Sequence, residues 1–240
     1  LTIGRRLFNT AHLFQPSGAT SAPYRKRMLV PFAEYVPHAD VIPWPEWLAP
    51  HVTELTAGDS GQLFTIAPQM SVAALICWEN LFSHLARESV NGGAQLLVQL
   101  TNDVWFGPTA APRQHNLMSV MRAVENRVPV VIASNAGPSQ LIDGYGRVVA
   151  ATSNVFQESA ITGAVALGGG GTVYSKTGDW FVLFVPAGAF CTYVLLKRAH
   201  LGRYANRPSF NWIRGVPGSL VVASMLGRGR RVLGRATPER

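Results

Sequence analysis

Charge is scarce in this sequence, and most of its imbalance lies in one place. Only 14% of the 240 residues are charged, against roughly a quarter in an ordinary soluble domain. Of the 21 Lys/Arg, ten fall after Leu196, where Glu239 is the one acid. The formal charge of +8 therefore belongs to the tail, and the nearly neutral remainder carries no electrostatic footprint for nucleic acid. Cysteine is almost missing. Cys77 and Cys191 lie in segments of opposite character, so a disulfide between them is not expected. Neither the cysteines nor the six histidines fall at metal-ligand spacing, and no metal or cofactor is expected. No acid of any kind precedes Glu34. The opening Leu1-Thr2-Ile3-Gly4-Arg5-Arg6 has no initiator methionine and no leading hydrophobic segment, which reads as the start of a fragment.

What is present is an alternation of strands and helices. Residues 1–15 read as strand, with 7–11 and 13–14 in a hairpin turned by Pro16-Ser17-Gly18, and residues 24–30 as a second strand. Residues 37–50, with four prolines and two tryptophans, read as a long loop. Two consecutive strands, 63–70 and 71–76, lead to Cys77. A helix over 83–91 stops at Gly92-Gly93, and a buried strand over 94–100 ends at Thr101-Asn102-Asp103. The spacing of Leu117, Met118, Met121 and Val124 predicts a helix over 112–127. Then come a buried strand over 128–133 and a strand-turn-strand about Asp143-Gly144-Tyr145-Gly146. This order predicts a layered α/β fold.

Residues 180–196 contain no charged side chain. At seventeen residues the run is short for a bilayer span, where about 20 is typical, and a buried core helix is the competing reading. Trp180 and Tyr193 sit where interfacial anchors would, and Lys197-Arg198 follow at once. The positive tail predicts a cytoplasmic C-terminus, with everything before Trp180 outside. The domain plan is then a catalytic region over 1–178, a transmembrane helix over 179–198, and a basic, disordered tail over 199–240.

Cys77 is the candidate nucleophile, because a thiol at the C-terminal end of a buried strand occupies the working position of α/β folds. By itself it reads equally well as a small core residue. Lys26 and Glu34 are charged residues in two earlier segments that could be aimed at it. By themselves Glu34 reads as an exposed loop acid, Trp78 as a packing aromatic, Glu79 as a surface acid and Trp105 as a core residue; Asn102 and Asp103 read as turn formers.

The ordered motifs resemble a known family. Tyr24-x-Lys26-x-x-Leu29-Val30-Pro31-Phe32-x-Glu34-Tyr35-Val36-Pro37 and Ile76-Cys77-Trp78-Glu79 look like the lysine and nucleophile motifs of apolipoprotein N-acyltransferases, membrane members of the nitrilase or carbon–nitrogen hydrolase superfamily. Thr101-Asn102-Asp103-Val104-Trp105-Phe106-Gly107, the helix from Gln114-His115 to Glu125-Asn126-Arg127, and the run from Thr172 into Trp180 follow in the family's order. The resemblance implies a nitrilase-like α-β-β-α sandwich, incomplete here, followed by one transmembrane helix. It implies catalysis by Cys77, Lys26 and Glu34, with Trp78 and Glu79 in support or at the oxyanion and Trp105 at the lipid entrance. It also implies a phospholipid acyl donor, a diacylglyceryl apolipoprotein acceptor, and a place in the bacterial inner membrane with the catalytic region on the periplasmic side.

One departure counts against full activity. The family's general base is a glutamate well before the lysine, whereas the Trp44-Pro45-Glu46 of this sequence falls after it. The chain is therefore expected to be the C-terminal part of such an enzyme and to work poorly alone. The competing functions are a soluble amidase or nitrilase of the same superfamily and a catalytically dead, membrane-anchored module.

Overall fold

The computed structural model describes residues 6–48, 52 and 54–205. The chain divides into two units, Leu1–Ala187 and Gly188–Arg240. The first is built on a six-stranded sheet of β3 (Leu63–Ala67), β4 (Met70–Ile76), β5 (Leu96–Thr101), β6 (Val130–Ser134), β7 (Gln140–Ile142) and β8 (Val148–Ala151), adjacent in that order. The central trio β4, β5 and β6 is parallel; β3, β7 and β8 run antiparallel to their neighbours. Parallel neighbours need a crossover, and α1 (Ser83–Asn91) and α2 (Ala111–Asn126) supply the two. Both crossovers step the same way, so right-handedness puts both helices on one face. This is the layered α/β arrangement expected from the sequence.

Alternation along β4 shows how the sheet is filled. Ala73 and Leu75 face the helices, with Leu85, Ala86, Val90, Leu97, Val130, Ile132 and Ile142. Ala74 and Ile76 face the other way, toward Ala11, Tyr24 and Phe64. A strand buried on both faces reads as a continuous apolar run, which is why β4 was legible.

The N-terminal hairpin turns at residues 16–18 as expected, with a Phe14–Thr20 bridge next to the turn. Its regular pairing is limited to β1 (Thr10–Ala11) and β2 (Tyr24–Arg25). The second strand was expected to run to Val30. Regular pairing stops at Arg25. Lys26 N–H still donates across to Asn9 O at 2.8 Å, but beyond it the amides of Arg27 and Met28 both turn to Glu79 Oε1, at 2.7 and 3.1 Å.

After α3 (Val173–Thr177), α4 runs from Trp180 to Ala205 across the division between the units. It continues seven residues into the segment read as tail; residues 206–240 lie outside the described ones. Its apolar part, Trp180–Arg198, spans 19 residues with mean hydropathy 1.6 and none of it buried. At 1.5 Å per residue that is about 28 Å, close to the bilayer's hydrocarbon thickness. Phe181, Leu183, Phe184 and Val185 are each more than half exposed, so the competing reading of a buried core helix is set aside.

Candidate active site

A cavity of about 620 Å³ opens at the C-terminal ends of β4, β5 and β6, where ligands sit in parallel α/β sheets. Its wall includes Cys77 beyond β4, Thr101 and Asn102 at the end of β5, and Ser134 and Asn135 at the end of β6. Glu34, Trp105 and the β1 residue Thr10 complete it. The structure thus brings Cys77, Glu34 and Trp105 to one cavity.

Cys77 has φ +54°, a left-handed conformation that L residues other than glycine adopt at a cost of about 1–3 kcal/mol. It turns the chain from β4 directly into a single 3-10 turn, Cys77–Leu81. The thiol is half-buried, and neither Cys77 nor Cys191 is in a disulfide. A strained, partly open side chain on a sharp strand-to-helix turn is the arrangement by which α/β hydrolytic folds expose a reactive group.

Lys26 is 1% exposed, and its Nζ donates to both oxygens of Glu34 at 2.8 Å. A buried ammonium needs such a partner. Glu34 is itself held, since Val30 N–H donates to its Oε2 at 2.8 Å. Gly58 closes over the lysine segment: its amide donates to Lys26 O at 2.8 Å, and a Cβ there would overlap the Arg25 carbonyl oxygen.

Glu79 and Trp78, expected beside the nucleophile, point away from the cavity wall and toward the lysine segment. Glu79 is fully buried, so its reading as a surface acid is corrected. Its carboxyl group accepts from Tyr24 Oη at 2.9 and 3.0 Å, from the amides of Arg27 and Met28, and from Ile76 N–H at 2.8 Å. Burial first, then the Glu79 carboxyl, push the Tyr24 hydroxyl well above its ordinary pKa, so it serves as a donor. Trp78 Nε1 donates to Met28 O at 2.7 Å. The two residues after the nucleophile therefore lock residues 24–28 against the nucleophile turn. With both oxygens accepting, the Glu79 carboxyl group has no hydrogen to offer a further partner, and it braces the turn at Cys77.

One group escaped the sequence reading. Asp103, read as a turn former, is fully buried and gathers Thr101, Ser134 and His115 around its carboxyl group. Burial would raise its pKa, and the hydrogen bonds from His115 and Thr101 overcome that and hold it below the usual carboxylate value. Asn102 does act at the turn, accepting from Val104 N–H at 3.3 Å. Asp103's position two residues past a buried strand end was the available signal; His115 stood in the matched helix segment that begins at Gln114-His115, but nothing in the sequence paired it with Asp103. Among the described residues, no three His, Cys, Asp or Glu side chains converge as metal ligands would.

Residues 3–173 match the carbon-nitrogen hydrolase family. The chain belongs to that family. Its relatives include the apolipoprotein N-acyltransferases of Geobacter metallireducens, 40% identical over 189 residues, and of Gloeobacter violaceus, 42% identical over 190 residues. Each alignment covers 78% of this chain and 36% of the relative. Apolipoprotein N-acyltransferase 1 of Treponema denticola is 33% identical over 196 residues, covering 79% of this chain and 35% of its own. The chain thus spans about a third of the length of the curated relatives it matches. In this carbon–nitrogen hydrolase frame, the ordered segments Tyr24 to Pro37, Ile76 to Glu79 and Thr101 to Gly107 converge in space around one cavity.

Proposed function

We propose that this chain carries the acyl-transfer site of an apolipoprotein N-acyltransferase. The observation that carries the reading is the strained Cys77 sharing a cavity with the Glu34 end of a buried Lys26–Glu34 pair. Cys77 Sγ, as thiolate, attacks the ester carbonyl carbon of a phospholipid. A C–S bond forms, the C–O bond to glycerol breaks, and the lysophospholipid leaves as an alcohol carrying the proton. The free α-amine of an S-diacylglyceryl cysteine then attacks the thioester, forming the amide and releasing the thiol. Splitting one transfer into two steps is the benefit of the covalent nucleophile.

Lys26, oriented by Glu34, favours the thiolate, and with the Trp78 backbone N–H it stabilises the tetrahedral oxyanion. Trp105, 84% exposed on the cavity rim, borders the lipid entrance. The exposed apolar helix α4 supports a lipid substrate over that of a soluble amidase. In this reading α4 spans the bacterial inner membrane, with the cavity on the periplasmic side and the basic C-terminus in the cytoplasm.

The carboxyl groups described at the cavity and behind its wall are already committed: Glu34, on the wall, to Lys26 and the Val30 amide; behind it, Glu79 to Tyr24 and three amides, and Asp103 to two hydroxyls and an imidazole. None is free to take the thiol's proton. A general base is worth roughly 10²–10⁴-fold, so these 240 residues alone turn over slowly or not at all. The test joins the upstream segment of the Geobacter relative to this chain and assays acyl transfer from phospholipid to a diacylglyceryl-cysteine peptide. Transfer that appears in the joined protein and vanishes with Cys77→Ala is expected. A folded, joined protein without transfer would contradict the reading.

A further inference from the structure

We infer that Asp103 and His115 form a positioning pair that fixes the Trp105 loop at the rim of the Cys77 cavity, and so governs the access of long acyl chains to the sulfur. The inference rests on the acyl-transfer reading of that cavity. Neither residue is on the cavity wall, so both act through what they hold.

Asp103 is the hub. Its Oδ1 accepts from Thr101 Oγ1 at 2.8 Å and lies 3.0 Å from His115 Nδ1; its Oδ2 accepts from Ser134 Oγ at 2.9 Å. Its amide donates to Asn135 Oδ1 at 3.1 Å. Thr101 ends β5, Ser134 ends β6 and His115 stands on α2, so one side chain ties two strand ends and a helix to the start of a loop. An ionised carboxylate only accepts, which puts the hydrogen of the His115 ring on Nδ1. The other ring nitrogen, Nε2, is buried with no hydrogen-bond partner among the described residues. The imidazole is therefore committed to a single bond, the one to Asp103.

The loop is pinned at its far side as well. Val104–Phe106 is one 3-10 turn, closed by Phe106 N–H to Asp103 O and Gly107 N–H to Val104 O, both at 3.1 Å. The Phe106 ring meets the His115 ring edge-on, with centroids 5.9 Å apart. Between these two pins Trp105 is 84% exposed, yet it lines the cavity with Leu100, Ile76 and Ala133. A side chain so weakly packed takes its position from its backbone, and that backbone is set by Asp103 before it and by Phe106 on His115 after it. An extended acyl chain must run along this apolar rim, whereas a small reagent reaches the sulfur without it.

The test uses the 240-residue chain in detergent micelles with Cys191→Ser, so that Cys77 is the thiol that reacts. The readout is the ratio of second-order rate constants for N-dodecylmaleimide and N-ethylmaleimide. Asp103→Asn and His115→Phe are expected to lower that ratio roughly fivefold, as coupled neighbours do, and to leave it unchanged once Trp105→Ala is already present. Phe106→Leu, a change at a partly exposed site, should lower the ratio as well and keeps the test open if a buried variant fails to fold. The same fall with and without Trp105, or an unchanged ratio in Phe106→Leu, would overturn the positioning role and leave the acyl-transfer reading standing. A Cys77 that reacts with neither maleimide would overturn both.

Discussion

The two crossover helices share a face of one sheet and meet it in opposite ways. Helix α1 buries Leu85, Ala86 and Val90, as an amphipathic helix should. Helix α2 buries Pro112 and Ala123 but also His115, Asn116, Ser119, Arg122 and Asn126, while Leu117, Met121 and Val124 stand about half exposed. The difference lies in what each helix covers. Under α1 are apolar strand residues; under α2, beside the apolar strand β6, are Gln99 and the turn that carries Cys77. Asn80, in that turn, donates to Gln99, Ser119 and the His115 carbonyl. Arg122 donates to the carbonyls of Asn80 and Leu81 at 3.2 and 3.1 Å and to Glu125 at 2.6 Å. The first helix supplies cohesion. The second grips the turn that carries Cys77.

That comparison can be broken by substitution. The largest effect belongs to Arg122→Ala, which strips Glu125 of its charge partner and the Asn80 and Leu81 carbonyls of their donor. Removing one member of a buried pair costs about 3–5 kcal/mol; urea denaturation in micelles should read it, and hydrogen exchange should quicken across residues 77–81. Next is Leu85→Ala in α1, expected to cost about 2–5 kcal/mol as a core cavity does, with no local quickening at the nucleophile turn. Smallest is Leu117→Gln on the outer face of α2, expected within about 0.5 kcal/mol of the parent. A Leu117 change as costly as Leu85→Ala would mean that the apolar face of α2 is covered, and the contrast would fail.

The contrast also marks what the sequence could tell. Periodicity found α2 from Leu117, Met121 and Val124, but a period says that a helix exists and not which side is buried, and here the apolar side is outward. The strands β4, β5 and β6 were legible because burial on both faces leaves them apolar throughout. The hairpin strand expected over 24–30 failed at Arg27 because its amides bond a side chain 52 residues away, a pairing no local pattern contains. The meeting of Cys77, Glu34 and Trp105 at one cavity, and the Lys26–Glu34 pair, were legible from ordered motifs. The burial of Glu79 and the Asp103–His115 contact were not, since a buried acid and a surface acid are the same letter until their donors are located.

The central claim is that the geometry around Cys77 makes its thiol a nucleophile, and the relative alkylation rates of the two cysteines test it most directly. Iodoacetamide at near-neutral pH, followed by peptide mass spectrometry, should label Cys77 about tenfold or more faster than Cys191, and Lys26→Met should abolish the difference. Equal rates at the two cysteines in the parent chain, or a Cys77 advantage that survives loss of Lys26, would contradict the account.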